Sequence, residues 1–360
     1  MPDAKRYAAI KYALALIETA YLFILLFAFC VFGFSDWLAQ KVCAVIPLKY
    51  PAAAVFLAVI CSFYAILNFP LHFYNSFAIE RKFSLASQKF GSWLVDQIKA
   101  GVLAFIISVI LLEAFYYVLA TYTHTWWILI SAFWIFISIV LAKLAPLVII
   151  PLFFKYKKLK KPSLRERIVS LAGKMQVKII DVFEIDFSRK TLKANAGFVG
   201  IGKTRRVVLA DTLKDRYTDD EIEVILAHEF AHYRLGHLMK MVFLNSAFIL
   251  LSFFVIYKTS VPVLGWFGYS SLADIAAMPV VFMYLIISGL ITQPLQNYIS
   301  RRLERNADAL ALEVTGLREA FISVMDKLAS QNLSDRKPHP LIKFFFFDHP
   351  PIDERIKAAG

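Results

Sequence analysis

Apolar residues in this chain come in long unbroken runs. They show neither the two-residue alternation of a half-buried strand nor the one-sided stripe of a soluble helix. Six runs, near residues 12–34, 51–73, 101–122, 126–152, 240–258 and 275–299, reach the roughly 20 residues that a helix needs to cross a bilayer. The first follows Lys5 and Arg6. It is too long for a signal peptide and lacks a small-residue cleavage site, so it reads as a retained span. Between the fourth and fifth runs lies the only sizeable polar segment, and there the period changes. Residues 163–175 predict an amphipathic helix opened by Ser163. Val177–Ile185 and Arg206–Leu209 are rich in β-branched residues and predict short strands. Thr218-Asp-Asp-Glu221 has the form of a helix start, with a capping threonine and an acid three residues later. No Gly or Pro interrupts the pattern before Gly236, so the helix is expected to run from about 219 to His237.

These patterns divide the chain into N-terminal spans (1–154), a polar region (155–239), two further spans (240–299) and C-terminal helices (300–360). Charge then orients them. The segment KYKKLKKPSLRER at 155–167 is dense in Lys and Arg, and 80–99 adds Arg81, Lys82, Lys89 and Lys99. The loops at 35–50, 123–125 and 259–274 are poor in positive charge, which puts both termini and the polar region on the cytoplasmic side.

Composition agrees: 59% of residues are hydrophobic, and the mean hydropathy is +0.60. The formal charge of +13 is therefore a topology signal facing anionic lipid. It does not imply nucleic acid, since no basic helix or aromatic–basic module accompanies it. Cys30, Cys43 and Cys61 form no CxxC pair, and their odd number argues against a disulfide framework. Glu18, Glu113 and Lys143 fall inside apolar runs, where such residues face a protein interior or, for Lys143, snorkel to a boundary.

Candidate chemistry lies in VILAHEFAHYRLGH, residues 224–237. His228 and His232 are i and i+4, on one helix face, so two imidazoles can share one metal ion. Glu229 is turned about 100° from His228, which suits a carboxylate that reaches a water on the metal rather than the metal itself. This is the HExxH arrangement of a zinc peptidase, with Glu229 as general base. A catalytic zinc needs a third protein ligand. His237 lies off the face, and Leu235 and His237 break the metzincin spacing. SRRLERNADALAL, residues 300–312, extends the sixth run and again carries acids at i and i+4. Glu304 is the expected third ligand, with Asp308 holding a ligating imidazole from behind.

The ordered set of motifs is similar to the type 1 CAAX prenyl proteases, a family of integral-membrane zinc endopeptidases. It comprises NSFAIERKF at 75–83, APLVIIPLF at 145–153, NAGFVG at 195–200, RVVLADTL at 206–213, HEFAHYRLGH at 228–237, SRRLERNADALA at 300–311 and HPPIDER at 349–355. The resemblance implies an all-α multi-span fold of six to seven helices around a chamber, with a small cytoplasmic α+β gluzincin-like protease region. It implies one Zn2+ per chain held by His228, His232 and Glu304. It places Asn195 and Ala196 along the bound peptide and gives His349 and Arg355 the task of steadying substrate or oxyanion. On its own residues, His349-Pro-Pro-Ile reads only as a turn before a last helix.

The chain departs from eukaryotic members in having six spans rather than seven, no long insertion after Leu213, and Gly197 and Val199 in place of aromatics. This compact form points to a bacterial member. The expected partners are a peptide or protein substrate, lipidated chains included, and the bilayer; the oligomeric state is open. The site is expected to face the cytoplasm, from the inner membrane of a bacterium or the endoplasmic reticulum of a eukaryote. The rival readings are a membrane-protein quality-control protease and a transporter or metal carrier. A transporter would carry its ligands in mid-span on broken helices in paired halves. Here the His pair lies outside the spans and no internal repeat is visible.

Overall fold

The computed structural model describes residues 2–159, 161–178, 182–199, 206–213 and 216–360. Helix α1 (Pro2–Val31) leads through Gly33, in the left-handed conformation at φ 71°, directly into the short α2 (Phe34–Val45). Helix α3 (Lys49–Phe73) continues through a π-helical turn at Tyr74–Ala78 into α4 (Ile79–Lys82), and α5 (Phe90–Thr121) follows. Helix α6 (Trp126–Leu144) passes through a second π-helical turn, Ala145–Ile149, into α7 (Ile150–Phe153).

Among the described residues, six helical stretches are long and apolar enough to cross a membrane: Asp3–Val31, Lys49–Lys82, Phe90–Thr121, Trp126–Phe153, His237–Trp266 and Ile275–Thr315. Each overlaps a run seen in the sequence and extends past at least one of its ends; Asp3–Val31 and Phe90–Thr121 stop short of the run ends at 34 and 122. The run reports hydrocarbon thickness, whereas the backbone ladder propagates until a breaker stops it. The spans meet around Phe56, Tyr116, Ile130, Phe253 and Ile256. Large apolar residues such as Ile24, Ile66 and Val261 face outward, as lipid as solvent requires.

The charges inside the spans are now placed. Glu18 accepts a hydrogen bond from Asn75 Nδ2 at 3.0 Å, and Lys11 donates to Asn75 Oδ1 at 2.6 Å and to its carbonyl at 3.0 Å. Asn75 belongs to the first π-helical turn. Lys143 is exposed in the last turn of α6, a snorkelling position that also suits the helix dipole. One carboxylate oxygen of Glu113 is buried without a hydrogen-bond partner.

The polar region starts at β1 (Tyr156–Lys158), followed by α8 (Pro162–Lys174), β2 (Val182–Ile185), β3 (Ala196–Val199) and β4 (Arg206–Ala210). The sheet order is β1-β2-β4-β3, with β2 and β4 parallel and the outer pairs antiparallel, so β3 is an edge strand. Helix α9 (Asp219–Arg234) packs on α8 through Ile168, Leu171, Leu226 and Phe230. Next come α10 (His237–Trp266) and α11 (Met278–Thr315). The small helices α12 (Arg318–Gln331), α13 (Pro340–Phe346) and α14 (Ile352–Ala359) end the chain.

Three sequence expectations change. Helix α8 starts at Pro162 with Lys161 as its cap, because proline pre-sets the first helical residue and leaves Ser163 inside. Val177 closes that helix instead of starting a strand. Gln176 is left-handed at φ 57°, and the Val177 amide donates to the Ala172 carbonyl at 2.8 Å. Residues 179–181 of the first expected strand, and Gly200 of the NAGFVG motif, lie outside the described residues. Finally, α9 stops at Arg234. Gly236 is left-handed at φ 67°, ends the helix and restarts the chain as α10 at His237.

The expected capping box is present. Thr218 N donates to Glu221 Oε2 at 2.7 Å, and Glu221 N donates to Thr218 Oγ1 at 3.3 Å. Glu221 is buried and also accepts from Ser323 at 2.6 Å and Lys327 at 2.7 Å, which ties α9 to α12. Burial alone would raise its pKa, but these donors hold it below the usual carboxylate range. Its stabilisation is therefore present above the ordinary value of about 4.3 and is lost as pH falls through the folded value. Glu221→Gln should lower thermal stability at pH 7 by about 1–3 kcal/mol, and the gap to wild type should close in acid. Thermal unfolding in detergent across pH measures both effects.

Candidate metal centre

Helix α9 brings His228 and His232 to face α11, and α11 brings Glu304 and Asp308 one turn apart to meet them. His228 Nε2 and His232 Nε2 are 3.0 Å apart. Glu304 Oε2 lies 3.2 Å from the first and Oε1 lies 3.1 Å from the second. Two donors each about 2.0–2.1 Å from a tetrahedral ion would stand roughly 3.3 Å apart, close to these spacings. Glu304 is 5% exposed, and its Oε2 is buried without a well-aligned hydrogen bond. Two ring nitrogens and a carboxylate that converge in this way fit a divalent cation, and His2Glu is a donor set that suits zinc.

The surroundings fix the ring orientations. His228 Nδ1 lies 2.8 Å from Asp308 Oδ1, a close but poorly aligned contact whose negative charge favours the proton on that nitrogen and so leaves Nε2 as the donor atom. Burial alone would lower the His228 pKa, but Asp308 and Glu304 raise it to about 9. The field that would hold a proton at this imidazole also favours a cation. Arg355 grips Asp308 from the far side, Nε to Oδ2 at 2.8 Å and Nη2 to Oδ1 at 2.6 Å, with both residues buried. His232 Nδ1 faces His237 Nδ1 at 3.0 Å.

His349 sits on the loop between α13 and α14. Its Nε2 is 3.4 Å from Glu304 Oε2, and its Nδ1 is 2.8 Å from Asp348. Burial would lower its pKa, but Asp348 and Glu304 raise it. A cleft of about 570 Å³ opens beside the donors and is lined by His228, Glu229, His349, Arg355, Asn195 and Ala196. All nine residues singled out in the sequence therefore belong to one neighbourhood. Glu229 opens onto the cleft, and so does Ala196, the first residue of β3, which is an edge strand among the described residues.

Two contacts are not read from the sequence. His237 lies off the α9 face, but the break at Gly236 swings it against His232; the glycine is the signal for that contact. Arg355 spends its planar fork on Asp308, 47 residues away, and nothing local in the sequence marks that pair.

Known proteins supply a frame. Residues 158–360 match the model of peptidase family M48, and residues 2–155 match the CAAX prenyl protease N-terminal model, described as five membrane helices. Within that second stretch the described chain has four candidate spans and the short α2. The chain is similar to the uncharacterized metalloprotease YhfN of Bacillus subtilis, 29% identical over 99% of this chain and 84% of that protein. It is also similar to CAAX prenyl protease 1 of Saccharomyces cerevisiae, 28% identical over 88% of this chain and 75% of that protein. The human CAAX prenyl protease 1 homolog is 25% identical over 84% of this chain and 72% of that protein. The crystal structure of S. mikatae Ste24p shares the fold, with a TM-score of 0.86 over 99% of this chain and 88% of that one at 24% identity.

Removing Arg355 would leave Asp308 as a buried charge. Arg355→Met should cost about 3–5 kcal/mol of stability, whereas breaking the exposed Arg305–Glu354 pair should cost at most about 1 kcal/mol. Thermal unfolding of Arg355→Met and Arg305→Met side by side measures the contrast.

Proposed function

The chain belongs to peptidase family M48, a membrane-embedded, multi-pass metalloprotease of the CAAX prenyl protease kind, and on that premise we propose a zinc endopeptidase that cuts near the C-terminus of membrane-associated substrates, prenylated chains included. The observation that carries this reading is the convergence of His228, His232 and Glu304 donors within 3.0–3.2 Å beside a cleft that holds Glu229.

His228, His232 and Glu304 are assigned as the ligands of one zinc ion. Zinc bound there supplies Lewis acidity: it lowers the pKa of a water to about 7 and polarises the scissile carbonyl. Glu229 takes the proton of the attacking water and passes it to the leaving amine. Its neighbour on the helix, His228, is kept in the right tautomer by Asp308, and Arg355 keeps Asp308 charged and in place. His349 donates to the oxygen on which negative charge develops. Asn195 and Ala196 hold the substrate backbone as an added strand on the free edge of β3. The basic segment 155–167 supports a cytoplasmic site, where the tail of a membrane-bound chain can enter the cleft.

The test uses purified protein in liposomes, a farnesylated CAAX peptide and its unprenylated twin. Glu229→Gln should lose cleavage by roughly 10²–10⁴-fold while retaining its zinc by elemental analysis. Full-rate cleavage by that variant would refute the reading. A preference for the farnesylated peptide supports a site that reads lipid. Equal cleavage of the two assigns a broad endopeptidase with a quality-control role.

A further inference from the structure

Helix α13 carries its apolar stripe on the side that faces away from the protein. Leu341, Phe344 and Phe345 stand at i, i+3 and i+4, one face of the helix, and they are 63%, 48% and 42% exposed. The opposite side is tied inward. Phe346 packs on Tyr12 of α1, ring centroids 5.2 Å apart. From α11, Asn297 Nδ2 donates to the Phe345 carbonyl at 2.7 Å, and the buried Arg301 donates to the carbonyls of Lys343, at 3.0 Å, and Phe347. The Lys343 carbonyl also accepts from the Phe347 amide at 3.3 Å, but the carbonyls of Phe345 and Phe347 lie beyond the helix's own donors, so α11 completes the end of α13. These bonds set its rotation and leave the apolar face outside.

Its depth follows from its supports. Tyr12 opens the first apolar run, and Asn297 and Arg301 straddle the end of the sixth, so both spans hold α13 where they leave the hydrocarbon. On α11, the exposed Ile291, Leu295 and Tyr298 form a lipid-facing stripe that ends beside Asn297. Arg302 lies over the Tyr298 ring at 5.9 Å, the aromatic-plus-cation pairing of a bilayer interface.

We propose that α13 is an interfacial membrane anchor whose Leu341, Phe344 and Phe345 sit in the headgroup boundary of the leaflet on the metal-site side, continuous with the lipid-facing surface of α11. His349 follows three residues after α13 ends, and its Nε2 is 3.4 Å from Glu304 Oε2. Arg301 stands one turn before Glu304 on the same helix. Lipid on one side of α13 and Arg301 on the other thereby set the position of His349 over the donor atoms. That consequence rests on the metal-site assignment; the anchor itself does not.

A nitroxide at Phe344→Cys, in protein carrying Cys30→Ala, Cys43→Ser and Cys61→Ser and reconstituted in liposomes, reads the anchor without any assay of cleavage. Its collisions with dissolved oxygen should exceed those with a water-soluble nickel chelate, and a label at the exposed Lys357→Cys should show the reverse. A Phe344 label open to the nickel chelate overturns the proposal, because the face is then in water. Protection from both quenchers also overturns it, because protein then covers the face, whether a second copy or another segment. Phe344→Glu with Phe345→Glu should reduce turnover in liposomes on the order of tenfold with bound metal unchanged, and Phe344→Trp with Phe345→Leu should restore it. Unchanged turnover in the acidic variant sinks the link to His349.

Discussion

Two imidazole nitrogens and a carboxylate held 3.0–3.2 Å from one another must share protons or a cation, because bare lone pairs at that distance repel. The fold holds them there through α9 and α11, whose packing buries Leu226, Ala227, Ala231, Ala307 and Ala311. The small residues on both helices allow the close approach. A metal ion bound as proposed would make the convergence favourable, and the neighbouring features would then act as its support. Asp308 sets the His228 ring, Arg355 neutralises Asp308, and the Glu221 cap roots the start of α9 in α12.

A second constraint joins the membrane half to the polar half. Glu80, just past the first π-helical turn, accepts from Tyr7 at 2.6 Å and pairs with Lys11 at 3.3 Å and Lys193 at 2.8 Å. Lys193 lies two residues before Asn195. Lys190 pairs with Asp96 at 2.6 Å, and Leu192 donates to the Leu85 carbonyl at 2.8 Å. The chain that leads into the free edge of β3 is thus held by the spans themselves. If β3 presents its edge to a substrate as proposed, such ties serve it, because an untied edge strand has weakly specified register.

The spans and the His228–His232 pair on one helix face were legible in the sequence for the same reason: both follow from short-range geometry. A bilayer demands about 20 apolar residues, and an i, i+4 pair faces one way on any helix. Spacing alone did not say where helices break. Gly236 could have been read as a stop, and that reading would have returned His237 to the site. Proline at 162 likewise outweighed the serine that follows it. Tertiary partners were the least legible. Asp308 and Arg355 are 47 residues apart, and neither motif names the other. The outward stripe of α13 was invisible because an i, i+3, i+4 apolar set normally announces a buried face. Its tertiary contacts, the Phe346–Tyr12 packing and the bonds from Asn297 and Arg301, show which way it points.

The most direct measurement is anomalous diffraction at the zinc edge from crystals of the metal-loaded protein. The account predicts a single peak about 2.0–2.2 Å from His228 Nε2, His232 Nε2 and one oxygen of Glu304, with a coordination position open toward the cleft. A peak held by His237 or Glu229 in place of one of these three, or one lying elsewhere in the chain, would contradict it.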